Sequence, residues 1–541
     1  MSDLKLMIKG ASSDDDDAYF LTSLATVWSR RMPALAQLRL FMDGRESVDS
    51  NSVPQGVDPD AAPVYRTMRS LGVMNFARRI SESVTDRQQP NGFRKVEDTS
   101  LRDTEADLVA KRCGLPALLR RFMFPQKGTY GCSFGFVTRG RGKRSIIALS
   151  PWECWMSDDA DSAIMYSHDE RSGVERMRLF RILRDDKTGE PKEVYSRLAV
   201  RDSDRTVVDP NDYQALGLFL DKYSRNGTLW TPGDDWRWDG DKESCDYALQ
   251  CESLPIVRLS TIDGLGLFEP YIPTLQRIDR QVFDRLCITM MQAFRQRAIK
   301  GDLPLTYGDE DPEVLNGEAS FGDPIDYSKR FATSPAALWQ LPQGVDIWES
   351  QTVDTTPLMT IISNDIKHLA AASGTPLDIL SPDVQGSASG AELKRETLKF
   401  KVQTMNELDS EPIVRMVRMA IALDGGEVPS DSEFEMVWKP METTSSLELA
   451  QAAQLLYQSG LLARRTVLTH KLGFTAQDVA EDDMNRMADQ FNVSDGGGSS
   501  SRRPVMTGAV APATGWDAES QSAVDGLESD TGDGDGDGRE V

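Results

Sequence analysis

The sequence predicts an α+β protein. Apolar residues recur at helical spacing over roughly the first 121 residues and again from about residue 267 onward. Between about 128 and 200 the texture switches to short runs broken by glycine, the pattern of strands and turns. Beyond about Ser494 the chain becomes rich in Gly, Ser and Asp and is expected to be a disordered acidic tail, 491–541. The 541 residues are 39% hydrophobic and 27% charged, enough apolar material for a core. At about 150 residues per domain, the length suits about three or four domains.

The elements follow in order. Residues 1–17 read as a mobile acidic arm ending in Asp14-Asp15-Asp16-Asp17, a solvated run placed where acids also favour a helix start. Ala18–Met42 is helical in pattern, with Phe20, Leu21, Leu24, Val27 and Trp28 on one face. Pro33 is expected to break or kink it, and Asp43-Gly44 to end it. After a Pro/Ser/Asp-rich loop at 45–62 come a second helical stretch, Tyr65–Arg87, a turn at Pro90-Asn91-Gly92, a short strand from Phe93, and a third helix, Asp103–Arg121. The strands Ser133–Thr138, Ser145–Leu149, Ser162–Tyr166 and Arg176–Leu183 are punctuated by Gly140-Arg141-Gly142 and Lys187-Thr188-Gly189. Residues 201–253 look polar and irregular, and Leu254–Leu259 reads as one more buried strand.

Leu267–Ile299 keeps Ile272, Leu275, Ile278, Val282, Leu286, Thr289 and Ala293 at three-or-four spacing. It is expected as one helix of about 50 Å. Residues 301–353 are Gly/Pro/Asp-rich, with strand-like Ala337–Leu341 and Val345–Trp348. Thr356–Ser373 is a helix with Pro357 in its first turn and Leu358, Ile361, Ile362, Ile366 and Leu369 as its stripe. A loop, Gly374–Gly386, separates it from a helix that opens with the capping box Ser389-Gly390-Ala391-Glu392 and runs to about Leu423, kinked at Pro412. Phe434–Trp438 is a strand. Short helices start near Ser445 and Thr475 and stop at Gly460 and Gly473.

Several chemistries lack their residues. No apolar run approaches the ~20 residues of a bilayer span, and Met1–Gly10 lacks the pattern of a signal peptide, so a cytosolic setting is expected. Cys113, Cys132, Cys154, Cys245, Cys251 and Cys287 form no C-x-x-C pair and read as small hydrophobes. With His168, His368 and His470 far apart, no metal site and no cofactor are expected. Gly140–Arg144 lacks the spacing of a phosphate-binding loop, and neither a nucleophile elbow nor a zincin motif occurs. The Gly-Asp repeat at 533–538 copies half of a calcium loop, but the bidentate Glu is missing. No catalytic residue is assigned. Asp158, Asp159 and Asp161, and Asp185 with Asp186, lie in turn-like segments and read as solvated turns.

Basic residues collect at two places. Arg295, Arg297 and Lys300 end the long helix, where cations suit the dipole. Lys394, Arg395, Lys399 and Lys401 read first as a solvated face with Glu392 and Glu396 as partners, and second as phosphate contacts. The net charge of -24 argues against a tight non-specific grip on DNA or an anionic membrane, but not against DNA that must pass without sticking.

In their order, these parts resemble the portal proteins of tailed bacteriophages, the head-to-tail connectors. Leu71–Arg87 followed by Gly92-Phe93 resembles an N-terminal helix of that family. Gly131–Val137 and Ile147–Pro151 resemble its wing strands, and Leu254–Val257 resembles the approach to the stem. Ala370–Leu380, then a loop, then Ser387–Glu392 resembles a stem helix ending in Ser/Gly-x-Pro, a tunnel loop and a helix opening with Ser-Gly. Val437–Pro440 resembles the passage into the crown. The likeness covers about residues 15–490.

The resemblance implies a ring of about twelve subunits at one capsid vertex, assembled in the host cytoplasm. Double-stranded DNA would pass through it during packaging and ejection. The partners implied are the major capsid protein and scaffold, the terminase large subunit, and a head-completion or tail adaptor protein, with no membrane. By position, 18–260 would be the wing, 261–299 and 354–373 the stem helices, and 300–353 the clip. Residues 374–388 would be the tunnel loop, 389–440 a kinked wing helix and strand, and 441–490 the crown. Asp383, Val384, Gln385 and Ser387 would then lie near the narrowest point, Lys394, Arg395, Lys399 and Lys401 would touch phosphates transiently, and Trp339 and Trp348 would dock terminase or adaptor. Two other readings compete: a metal-dependent nuclease or phosphodiesterase using the Asp/Glu clusters, and a minor head or scaffold protein without a channel.

Overall fold

The computed structural model describes residues 7–9, 11, 15–45, 60, 62–96, 103–140, 143–203, 207–226, 233–293, 297–327, 346–349, 353–381, 388–423, 428, 434–439, 446–468, 472 and 479–487. The chain divides into two compact units, Met1–Met441 and Glu442–Val541. The predicted tail, 491–541, lies outside the described residues.

The first unit mixes helix and strand, as expected. It opens with α1 (Asp16–Met42), α2 (Ala62–Leu71), α3 (Phe76–Thr85), β1 (Pro90–Lys95) and α4 (Thr104–Arg112). A continuous helical run follows: α5 (Leu115–Leu118), a π turn (Leu119–Met123) and α6 (Phe124–Tyr130). Next are β2 (Cys132–Gly140), β3 (Lys143–Leu149), β4 (Cys154–Met156), β5 (Ser162–Asp169), β6 (Val174–Arg184) and β7 (Pro191–Asp202). Then come α7 (Tyr213–Asn226), β8 (Arg237–Trp238), β9 (Glu243–Ser244), α8 (Asp246–Leu249), β10 (Ile256–Ser260) and α9 (Ile272–Ala293). The unit continues through β11 (Arg297–Lys300), α10 (Pro312–Leu315), β12 (Asp346–Glu349), α11 (Thr356–Ser373), α12 (Leu377–Leu380), α13 (Ala388–Ala422) and β13 (Phe434–Trp438). The second unit holds α14 (Ser446–Gln458) and α15 (Arg464–Thr466). Within it, Gly460 adopts φ 72° just past α14, as expected of a stop, and Arg464 pairs with Asp482 and Asp483.

Two clusters form the core of the first unit. In one, the sheet β10-β2-β3 packs under the C-terminal half of α13, where Ile413, Met416, Val417 and Ala420 are fully buried. In the other, α1 lies on the antiparallel sheet that begins β4-β5-β6-β7, with Leu21, Trp28 and Leu35 against Ile164, Met177 and Leu179. The hairpin joining β6 and β7 is closed by Asp185, whose carboxylate accepts from the N–H of Lys187 and Thr188, and by Gly189 at φ 73°. The punctuation read at 187–189 is therefore a turn.

Several expectations are corrected. Among the described residues of the acidic arm, several are packed rather than solvated, though Asp16 is exposed and Asp14 lies outside the described residues. Met7 and Ile8 are buried, Asp15 caps α1 by accepting from Ala18 N, and Asp17 is only 3% exposed. Asp17 accepts from Tyr195 Oη and from the guanidiniums of Arg181 and Arg197, so its charge is matched where it is buried. Burial pushes its carboxyl up, but Tyr195, Arg181 and Lys242 together hold it below the ordinary value. Pro33 does not break α1, which is continuous from Asp16 to Met42: Pro33 is itself buried among core residues, and that packing outweighs one missing backbone hydrogen bond. The third helix ends at Arg112, because Gly114 turns left-handed at φ 68°. The stretch read as irregular holds α7, whose Leu216 and Leu220, one turn apart, bury in the same cluster as α1.

The largest difference concerns the long helix. It begins at Ile272, after a 3-10 turn through Pro270, and ends at Ala293. Its 22 residues span about 33 Å rather than about 50 Å. Arg297–Lys300, read as the helix end, is instead strand β11, paired with β12 some fifty residues later. The strand pairing, a non-local contact, overrides the local period.

Candidate functional site

The part of the molecule with an unusual shape is a helical hairpin. α9 and α11 run antiparallel, and their side chains fix the register along the whole length. Tyr271 Oη donates to Ala372 O (2.9 Å), and Arg277 forks onto both oxygens of Asp365 (3.0 and 3.0 Å). Gln281 Nε2 also donates to Asp365 (2.9 Å), and Gln292 Nε2 to Val353 O (2.6 Å). The hydrogen bonds from Arg277 are the main reason the Asp365 carboxyl is held below its usual range; partial burial opposes them. Beyond Gln292 the hairpin continues as the ribbon β11–β12, with Arg297 opposite Glu349 and Lys300 opposite Asp346. The described part of the excursion, 301–327, therefore follows the far end of the helical stalk.

The near end is anchored in the core. The core contacts of α9 come from its first half: Ile272, Leu275, Ile278 and Val282. α11 ends in a Schellman turn: Thr375 N bonds Ala370 O (3.1 Å), Gly374 N bonds Ala371 O (3.4 Å), and Gly374 takes φ 64°. Pro376 then leads into α12. α13 passes this turn. A Cβ added at Gly374 would meet Thr397 Cγ2 at 3.2 Å, and Lys401 Nζ reaches Ser373 O at 3.5 Å.

The predicted site residues fall as follows. Asp383, Val384, Gln385, Ser387 and Trp339 lie outside the described residues. Lys394 and Arg395 belong to the first turns of α13, and Lys399 is half-buried one turn further on. Lys401 is half-buried; desolvation pushes its ammonium pKa down, Asp263 opposes that, and it closes the carbonyl end of α11. Trp348 is 55% exposed on β12.

The hairpin is poorly covered by its own subunit. Of the 18 residues of α11, the buried ones are Ile362, Leu369, Ala370 and Ser373. Met359 and Ile361 are 49% and 48% exposed. Of the predicted apolar stripe, Ile362 and Leu369 are buried, Leu358 and Ile366 are partly covered, and Ile361 faces outward beside Met359.

The acidic clusters behave as turn chemistry. Asp159 accepts from Ser157 Oγ and Asp161 N, and Asp161 is clasped by Arg184. Among the described residues, no group of three His, Cys, Asp or Glu gathers that could hold a metal ion.

One buried constellation carried no sequence signal. Lys127 and Asp409, 1% and 0% exposed, form an ion pair between α6 and α13. Gln88 Nε2 donates to Asp409 Oδ2 (2.8 Å) and to Asn406 Oδ1 (3.2 Å). Burial pushes Lys127 down and Asp409 up, and each charge partly restores the other.

No family model matches this chain, and no curated protein matches it. Among solved structures, it is similar to a chain described as "Virion of native gene transfer agent (GTA) particle", at 13% identity and a TM-score of 0.36, over 80% of this chain and 99% of that one.

Proposed function

We propose that this chain is a portal (connector) subunit, assembling into a ring of about twelve copies through which double-stranded viral DNA is packaged and ejected. The observation that carries the reading is the stalk: an antiparallel helical hairpin, fixed in register by Arg277 and Asp365, whose second helix leaves Met359 and Ile361 about half exposed. Exposed apolar side chains on a projecting hairpin are costly, and copies arranged around an axis would cover them. The order of parts along the chain supports the same reading: the core-anchored body, the stalk, the excursion 301–345, the return, and the 382–387 segment leading into α13.

In that reading, 18–260 and 389–440 form the wing, 261–299 and 354–373 the stem, 300–353 the clip and 441–490 the crown. The segment 374–388, with Asp383, Val384, Gln385 and Ser387, lines the narrowest passage. Lys394 and Arg395 touch passing phosphates, and Trp348 stands where terminase and adaptor dock. The net charge of -24 suits a conduit, because few phosphate contacts mean little counterion release and a mobile duplex. The nuclease alternative finds no support in the acidic clusters, since Asp159, Asp161 and Asp185 are engaged as turn partners.

The test is the mass of the purified chain by light scattering, with negative-stain imaging of the same peak. A closed ring with a central hole wide enough for a DNA duplex is expected. A monomer that cuts DNA in the presence of Mg²⁺ would overturn the proposal.

A further inference from the structure

Beyond the far end of the stalk, residues 301–327 fold back on themselves into a small knob. Thr306 bridges antiparallel to Pro324, Tyr307 N donates to Asp323 O (3.0 Å), Gly322 N to Tyr307 O (3.0 Å) and Ile325 N to Leu305 O (3.1 Å). Tyr327 Oη donates to Pro304 O (2.5 Å). Two acids hold the connecting turns: Asp311 accepts from Gly308 N (2.7 Å) and Asp323 from Ser320 N (2.9 Å). The knob is thus pinned by its own backbone, and the side chains it displays are held in place.

Those side chains stand out in two respects. Leu305 and Leu315 are the most exposed large apolar side chains among the described residues, at 82% and 73%, and Phe321 is 67% exposed. Single exposed apolar residues are ordinary, but these three fall within 17 residues of one small piece of chain. Phe321 directly precedes Gly322, whose N–H bonds the Tyr307 carbonyl, so it borders the strand that carries Leu305. The second respect is charge. Of the 27 residues 301–327, eight are acidic and none is basic, so a twentieth of the chain carries -8 of its net -24. Asp302, Asp309, Glu310, Glu318, Asp323 and Asp326 are exposed. Over the whole excursion with its ribbon, 297–349, ten acids stand against four bases.

The charge decides what can cover the apolar residues. A second copy seated knob to knob would bring the same eight acids, and like charges in apposition oppose association. Nucleic acid and anionic lipid carry the same sign and are repelled. We infer that the knob is a docking surface for a basic protein partner, one that offers lysines or arginines around an apolar pocket, with Leu305 and Phe321 as the anchors. Apolar anchors supply the affinity of such a contact, and the surrounding charge selects the partner and speeds encounter. The inference deepens the docking role proposed above for 300–353 and rests on that reading for the partner's place in assembly; the surface itself belongs to one subunit.

The test uses the full-length chain and two fluorescein-labelled peptides, three Lys-Arg-Leu repeats and three Lys-Arg-Ser repeats, read by fluorescence anisotropy at about 0.15 M salt, where long-range attraction by the net charge is screened. Saturable binding of the leucine peptide, several-fold tighter than the serine peptide, is expected. Leu305→Ser/Phe321→Ser should bring the leucine peptide down to the serine level. Asp309→Asn/Glu310→Gln/Glu318→Gln should weaken it at least tenfold. Asp186→Asn/Glu190→Gln/Glu193→Gln removes the same charge from exposed positions on the β6–β7 hairpin and should leave binding within twofold of the parent. All the substituted residues are exposed, so the variants are expected to melt with the parent. No binding, equal binding of the two peptides, equal weakening by the hairpin variant, or tighter binding of a Glu-Glu-Leu repeat peptide or a DNA duplex would each overturn the proposal. Light scattering of the same samples reports ring formation separately: a ring that ignores the peptides would sink this inference alone, and a monomer that binds them would sink the ring alone.

Discussion

Removing one partner of the buried Lys127–Asp409 pair should be far more damaging than removing both. Lys127 is 1% exposed and Asp409 is fully buried, with Gln88 donating to the same carboxylate. Lys127→Met leaves a buried carboxylate without its cation, and Asp409→Leu leaves a buried ammonium without its anion; either is expected to cost about 3–5 kcal/mol. The double variant replaces the pair by apolar side chains and should lie within about 1 kcal/mol of the parent, or above it. The assay is equilibrium urea unfolding of the four proteins as a double-mutant cycle. For a cooperative unit of 441 residues, each kcal/mol moves the melting midpoint by only about 1 °C, so denaturant is the sharper probe. The deficit of Lys127→Met should also depend on pH. Burial already raises the Asp409 carboxyl, and without the ammonium it rises further. The folded state then holds a proton that the unfolded state releases, so the deficit grows as pH rises above the ordinary carboxylate range. Single variants within about 0.5 kcal/mol of the parent, or a double variant as poor as the sum of the singles, would refute this reasoning.

Other predictions follow from the same geometry. Met359→Asp with Ile361→Asp should leave the subunit's own melting nearly unchanged, because both residues are about half exposed, but should reduce the particle mass in light scattering; an intact ring would remove the stalk surface from the argument. Gly131→Ala should destabilise clearly more than Gly114→Ala. Both glycines are left-handed, which costs about 1–2 kcal/mol for alanine, but a Cβ at Gly131 would stand 2.2 Å from the Gly264 carbonyl oxygen while Gly114 faces open space. Arg277→Ala should remove stability that is present above the ordinary carboxylate range and is lost as pH falls through the lowered Asp365 value, so parent and variant curves converge in acid. Curves separated equally at all pH values would show that the fork is not the cause.

Local signals account for what the sequence by itself determined. The helix Thr356–Ser373 stands where its stripe and its Pro357 placed it, because Gly374 at φ 64° closes a Schellman turn built from neighbouring residues. β13 stands at Phe434–Trp438, and the turn at Lys187-Thr188-Gly189 closes a hairpin through Asp185. The helix end and the turn are decided within about one turn of chain, while β13 also needs its partner β1 far back in the sequence. The mixed fold class needed nothing more, since it is a sum of such segments.

Of the elements that carry the predicted site residues, the strand with Trp348 and the helix with Lys394, Arg395, Lys399 and Lys401 were legible, whereas the contact of Lys401 with Ser373 was not. What only the tertiary structure decided involves partners far along the chain. The α9 helix stops at Ala293 because 297–300 finds a strand partner at 346–349. Asp17 is buried because Arg181 and Tyr195 come to meet it. Arg277 finds Asp365, and Lys127 finds Asp409, across 88 and 282 positions. No local periodicity records such pairs, because each charge reads as solvated until the opposite charge is brought within hydrogen-bond reach in a site that water has left.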